Sequence, residues 1–330
     1  MIEQAGPKGP EAGRGDGRRL VLIGAGPVAL AAASAALDVG AATSVAAVVD
    51  PGGRALQNAV ARFGGAPFRS ADELPPAIGD LAIAAFSSRA SLVAPVAILA
   101  MELGCRVVTT CEELADPPPP LRDELARAAR AADRSTVVTG ANPGFVMDRL
   151  PLALTIGCRD VRGVHVVRRL DSSTRRGPLV AKTGYGLTTE AFQRGVAAGT
   201  VGHVGLEASA RLLAEGLDWP VERVDTSIEP VTGDDGLVAG QHQLLQLSCD
   251  RGRAVTLELT MSWKLPDPGD WIRLEGAPGL EVEITGGYPG DEGTTAQIVN
   301  ALTHIGELPP GFYRPTDLPP VGSVTPRAGR

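Results

Sequence analysis

The feature that most limits what this chain can fold into lies near its start, where an apolar strand runs through a glycine turn into an alanine helix. Arg19–Ile23 reads RLVLI, followed by Gly24-Ala25-Gly26 and an alanine-rich helical pattern over 27–37. A strand with no polar alternation is buried on both faces, which is the situation of a parallel sheet covered by helices. The same beat continues with strands at Ser44–Val49, 81–85, Arg106–Thr109 and 136–139, and helical patterns at 54–63, 91–103 and 121–132. Strand–helix alternation of this kind predicts a doubly wound α/β sheet. Beyond residue 158 the pattern changes: strands follow at 164–167, 224–229, 244–248, 255–263, 271–275 and 281–284, with two helices near 188–198 and 204–217. That predicts an α+β C-terminal domain with a mostly antiparallel sheet. The expected organisation is a disordered leader over 1–18, rich in Gly, Pro and charge, then a nucleotide domain over 19–145 and a substrate domain over 146–293. A last helix at 294–305 and a Pro-rich tail to 330 are expected to pack back on the first domain.

The strand, Gly24-x-Gly26-x-x-Ala29 and helix together form a phosphate-binding arrangement in its proper place, and make the first domain Rossmann-type. Gly24 makes the turn, Gly26 lets a pyrophosphate approach the backbone, and the helix N-terminus at Pro27 and Val28 faces the anion. Asp50 ends the second strand, where its carboxylate would accept from ribose hydroxyls and repel a 2′-phosphate. Arg54 stands four residues on and could pair with such a phosphate. The cofactor is therefore read as NAD or NADP, leaning to NAD. Phe86, Ser87 and Ser88 follow a later strand and would lie along the cofactor's ribose and pyrophosphate, unless they form a plain turn.

Composition narrows the partners. A net charge of −7 and the lack of a long basic run argue against nucleic acid. The most apolar stretches are broken by Gly, Asp or Pro, so no membrane span is read. Cys105, Cys111, Cys158 and Cys249 show no metal spacing and suit a reduced, cytoplasmic protein. The only lysines are Lys8, Lys182 and Lys264, and Lys182 stands out in an arginine-rich segment.

A nicotinamide enzyme needs a group that handles the proton beside the hydride carbon. His165, His203, His242 and His304 all lie away from the first domain's strand ends and read as structural. Glu112 and Glu113 directly follow the strand Arg106–Thr109, at the sheet's carboxyl edge, and either could serve unless they are a helix-start pair favoured by the dipole. The segment TGANPGFVMD over 139–148 places a turn, Asn142-Pro143-Gly144, at the crossing between the domains. A polar loop carries Arg168, Asp171, Ser173, Thr174, Arg175, Arg176 and Lys182.

The strings TTCEELADP, TGANPGFVMDRLPLALT, RRLDSSTRRGPLVAKTGYG and GHVGLEASARLLAEGLDW, with GTTAQIVNAL and PPGF, resemble the 2,4-diaminopentanoate dehydrogenase family, which includes the native amine dehydrogenases. Its fold is similar to that of dihydrodipicolinate reductase, and the resemblance runs from about Arg19 to Leu318. It implies NAD(P)-dependent interconversion of an amine with a ketone or aldehyde plus ammonia. It assigns catalysis to Glu112, with Glu113 second. It sets Cys111, Asn142 and Pro143 beside the cofactor, and Phe145, Met147, Arg168, Thr174, Tyr185 and Trp263 around the substrate, although core packing is an equal or stronger reading of Phe145, Met147 and Trp263. Fold similarity implies a homodimer through the second domain's sheet. The His-His-x-x-Lys helix and Pro-Ser-Gly-Thr turn of dihydrodipicolinate reductases do not occur, which weakens a second reading as a cyclic-imine reductase. A third reading, a nucleotide sensor without turnover, sits badly with the glutamate pair.

Overall fold

The structure is a computed structural model that describes residues 18–175, 177–319 and 322–323. The leader expected at 1–18 therefore falls, Arg18 apart, outside the described residues, as does Arg176 of the polar loop. The first part alternates β1 (Arg19–Ile23), α1 (Pro27–Asp38), β2 (Ser44–Val49), α2 (Gly53–Phe63), β3 (Ala66–Phe68), β4 (Leu81–Ala84), α3 (Ala90–Glu102), β5 (Arg106–Thr109), α4 (Pro119–Ala131) and β6 (Ser135–Val138). The second part holds α5 (Arg149–Leu154), β7 (Arg159–Asp171), α6 (Gly177–Lys182), α7 (Thr189–Ala197), α8 (Leu206–Gly216), β8 (Val221–Thr232), β9 (Val238–Cys249), β10 (Ala254–Ser262), β11 (Gly269–Ala277) and β12 (Leu280–Thr285). The chain then returns through α9 (Gly290–His304) and β13 (Gly311–Tyr313).

The first sheet has seven parallel strands in the order β13-β6-β5-β4-β1-β2-β3. Its strand order reverses between β1 and β4, and in such sheets the crevice at the carboxyl ends of those strands takes the ligand. Leu20, Val21, Leu22, Ala82, Ile83, Val107 and Val108 are fully buried, as a sheet covered on both faces requires. α1 starts with Pro at its first position, where no donor is lost, and buries Ala29, Ala32, Ala33 and Ala36. That flat alanine face lets α9 pack closely, with Ile298, Val299, Leu302 and Ile305 in the same core. β13 pairs with β6 and completes the sheet's edge.

The second sheet runs β12-β11-β7-β10-β9-β8, antiparallel except for the β7–β10 pair. Its strands are longer than the sequence suggested, 13 residues in β7 and 12 each in β8 and β9. Register places Leu259 of β10 between Arg168 and Gln243, and Met261 between Leu170 and Gln241. Cross-strand partners share a face, so these two rows look the same way, towards the first sheet's loops.

Candidate active site

The loops at the carboxyl ends of β1, β2, β4, β5 and β6 meet the end of the second sheet across a cleft of about 520 Å³. Gly24, Gly26, Val28, Asp50, Phe86, Ser87, Ser88, Glu112, Asn142 and Pro143 line its first wall. Arg168, Leu170, Leu259 and Met261 form the facing floor, with Arg175, Leu179, Lys182 and His203 beside them. Gly290, Asp291 and Thr294 of α9 close one end.

The two glycines of the first loop do different work. Gly24 has φ +97°, and a Cβ there would lie 2.7 Å from Phe86 Cβ. Nothing lies within 4 Å of a Cβ at Gly26, and α1 has no side-chain cap, so its first N–H groups face open space. Asp50 holds the loop from the side: Oδ2 accepts from Ala25 N–H at 2.8 Å and Oδ1 from Gly52 N–H at 2.7 Å.

Glu112 and Glu113 separate cleanly. Glu113 is exposed, and its Oε2 accepts from Ala90 N–H at 2.8 Å, capping α3. Glu112 lines the cleft, and its Oε2 is buried without a hydrogen-bond partner. An orphaned carboxylate oxygen is costly unless a ligand meets it.

The Asn142 turn is held from behind. Gly144, at φ +139°, packs so tightly that a Cβ would come within 2.2 Å of Gly140. Gly144 N–H donates to Asp148 Oδ2 at 2.8 Å, and Ser209 of α8 places its hydroxyl 2.8 Å from that oxygen and 3.1 Å from Asn142 Oδ1. Burial pushes the Asp148 carboxyl above the usual range, against these donors. His203 Nδ1 accepts from Gly205 N–H at 3.0 Å, so the ring proton sits on Nε2. Desolvation lowers its basicity; the Glu112 charge and a hydrogen bond to the Asn142 backbone work the other way.

The family model described as 2,4-diaminopentanoate dehydrogenase C-terminal domain matches residues 145–327. The 2,4-diaminopentanoate dehydrogenase of Acetoanaerobium sticklandii is 30% identical over 244 residues, 66% of this chain and 68% of that protein. The chain belongs to the 2,4-diaminopentanoate dehydrogenase family. Membership makes it an oxidoreductase acting on CH–NH2 groups with a nicotinamide cofactor. Among solved structures, an amine dehydrogenase from Mycobacterium smegmatis superposes with a TM-score of 0.78 at 19% identity, over 92% of this chain and 96% of that one. A probable dehydrogenase from Thermotoga maritima gives 0.61 at 12% identity, over 91% and 92%. A WlbA dehydrogenase from Bordetella pertussis, solved with NADH and UDP-GlcNAcA, gives 0.57 at 18%, over 87% and 88%. These likenesses share the fold.

Within this dehydrogenase the expected cofactor residues mostly meet at the cleft, and Pro27 opens α1 next to them. Two do not reach it. Cys111 is fully buried and its Sγ donates to Ser88 O at 3.1 Å; burial pushes the thiol up to about 11, so it stays protonated and serves as an anchor. Arg54 is exposed on the first turn of α2.

The substrate residues fare worse. Only Arg168 lines the cleft, and its guanidinium is committed to Asp270, at 2.7 and 2.9 Å, and to Tyr288 O at 2.7 Å. Met147 is fully buried in the second core, with Asn142 Nδ2 donating to its sulfur, and Phe145 packs on Tyr288 with ring centroids 4.9 Å apart. Thr174 is exposed, donating to Asp171 O. Tyr185 and Trp263 stack on each other at 4.5 Å, away from the lining.

Sequence reasoning missed His203, Leu170, Leu259 and Met261, although Leu257, Leu259 and Met261 repeat every second residue and marked the inner face of a strand. Among the described residues no His, Cys, Asp and Glu side chains group as a metal set, and no helix is long and apolar enough to cross a membrane.

Proposed function

We propose that the protein is an NAD(P)-dependent amine dehydrogenase. It deaminates a primary amine oxidatively or, in reverse, aminates a ketone or aldehyde with ammonia. The observation that carries this reading is Glu112: it lines the cleft shared by the cofactor loops and the apolar floor of Leu170, Leu259 and Met261, and its Oε2 is buried without a partner. The fit for a dinucleotide rests on the empty space above Gly26 and the uncapped N-terminus of α1. Asp50 would take the ribose hydroxyls, which favours NAD over NADP.

Bound nicotinamide supplies the hydride donor or acceptor. Glu112 does the proton work: it takes a proton from nitrogen as ammonia adds to the carbonyl, then returns one to the departing water. Its charge also stabilises the cationic imine. The Asn142-Pro143 wall orients the reacting carbon, and Leu259 and Met261 exclude water.

We further read the protein as a cytoplasmic homodimer joined through the outer face of the second sheet, where His165, Val167, Trp271 and Arg273 border an open groove. Sedimentation checks the dimer, with a monomer overturning it.

The deciding assay offers pentan-2-amine, 1-aminopentane and 2,4-diaminopentanoate with NAD or NADP, and pentan-2-one or pentanal with ammonium and the reduced cofactors. Turnover in either direction is expected. Silence on every substrate sinks the reading, and reduction of cyclic imines alone would transfer it to an imine reductase. Glu112→Gln should lower kcat about 100- to 10,000-fold with cofactor binding retained.

A further inference from the structure

Lys182 ends α6 in the second half of the molecule, yet its Nζ donates to Ser88 Oγ in the first, at 3.4 Å across the cleft. No ion pair holds that ammonium among the described residues. Ser88 is also where the Glu112 turn is fastened. Its carbonyl accepts from Glu113 N–H at 3.2 Å and from Cys111 Sγ at 3.1 Å. One residue therefore anchors both the carboxylate turn and the lysine, and both line the same cavity. Lys182 and Glu112 also act with opposite sign on His203, so the three groups share one neighbourhood. The other cations nearby are otherwise engaged or placed: Arg168 is neutralised by Asp270, and Arg175 lies against Gly290 at the α9 end.

A carbonyl attacked by ammonia needs two proton transfers, away from nitrogen and onto oxygen. A carboxylate suits the first and an ammonium the second. Resting on the amine dehydrogenase reading, we propose that Lys182 is a second catalytic residue, the acid that polarises and protonates the carbonyl oxygen. As the C–N bond forms and the C=O π bond breaks, Lys182 gives its proton to oxygen, and Glu112 takes one from nitrogen. Glu112 then returns that proton to the hydroxyl, water leaves, and the cationic imine is ready for hydride. Lys182 regains its proton from solvent. The sum is carbonyl, ammonia, reduced cofactor and one proton to amine, oxidised cofactor and water.

The test uses the whole chain with pentan-2-one or pentanal, ammonium chloride, and NADH or NADPH deuterated at the transferred position. Lys182→Met should lower amination kcat about 100-fold, and the deuterium isotope effect should fall to unity, because imine formation then limits turnover. Lys182→Arg keeps the charge but cannot give up its proton. It should lose a similar factor, and it serves if the methionine variant does not fold. Lys182 is not this acid if either folded variant keeps kcat within about threefold, if the isotope effect rises above that of the wild type, or if the loss appears only as weaker NADH binding by fluorescence. A wild type that aminates neither carbonyl defeats the underlying reading instead.

Discussion

Glu112 and Glu113 are adjacent, alike in charge and opposite in fate. The short turn that follows β5 points one side chain at the cleft and the other at the start of α3. Removing Glu113 costs a helix cap, so Glu113→Ala should lower stability by about 0.5–2 kcal/mol and leave kcat unchanged. Thermal melting and steady-state kinetics on the two variants separate the roles. The adjacent pair read identically in the sequence because the direction of a side chain in a tight turn is set by what packs behind it. Arg168 carries the same lesson. It reads as a loop cation free for substrate, but it lies on a strand opposite Asp270, and only the register shows this. Both charges are buried, and burial presses the Asp270 carboxyl up and the guanidinium down against their mutual attraction. Asp270→Ala should therefore cost about 3–5 kcal/mol by denaturant melting, because it strands a buried cation, while Arg168→Met with Asp270→Leu should cost less. His203 supplies a pH signature. Its folded basicity is below the free value of 6.5, so the folded state resists a proton that the unfolded chain accepts. Its contribution is present above about pH 6.5 and is lost as pH falls through the folded value. The stability gap between wild type and His203→Asn should narrow from pH 7.5 to 5.5; a constant gap would show no differential titration.

At the scale of elements, the β1 loop and the Asn142 turn were the most legible parts of the site. Both are written in glycine and proline, whose backbone limits act locally. The floor of the cleft was not, because Leu259 and Met261 gain their role from pairing with β7, some 90 residues earlier in the chain. The edge strands β3 and β13, three residues each, carry too little pattern to announce themselves, and the six residues of α6 lie in a segment whose dense Arg, Asp, Ser and Thr read as a polar loop. The glycines also give contrasting predictions. Gly26→Ala puts a methyl into empty space, so it should weaken cofactor binding at least about tenfold while moving the melting temperature little. Gly144→Ala has no room and an unfavourable φ, so it should lower stability by more than 1 kcal/mol whatever it does to binding. Fluorescence titration with NADH and thermal melting on both variants test the contrast.

Across the whole molecule, the two sheets are tied by the chain's return. Arg314 follows β13, and its buried guanidinium bonds Glu215 of α8 at 2.6 and 2.8 Å and Asp317 at 3.0 Å. Its partners are half-exposed and regain water when the cation is lost, so Arg314→Leu should cost about 1.5–3 kcal/mol rather than the larger penalty of a fully buried pair. Chemical denaturation should also show whether the two halves then melt separately. The overall class was legible because alternation over a hundred residues averages out local error, and the last helix already reads as packing back on the first domain; strand β13 and the Arg314 tie were not legible, since neither a three-residue strand nor a single arginine carries a period. That return has a consequence for how the protein is made. β6 is complete at residue 138, but its edge partner ends at residue 313. A ribosome adding roughly 5–20 residues per second needs about 10 to 35 s to cover that stretch. For that time the nascent first sheet carries an open apolar edge, and a chaperone that shields strand edges would find its client there.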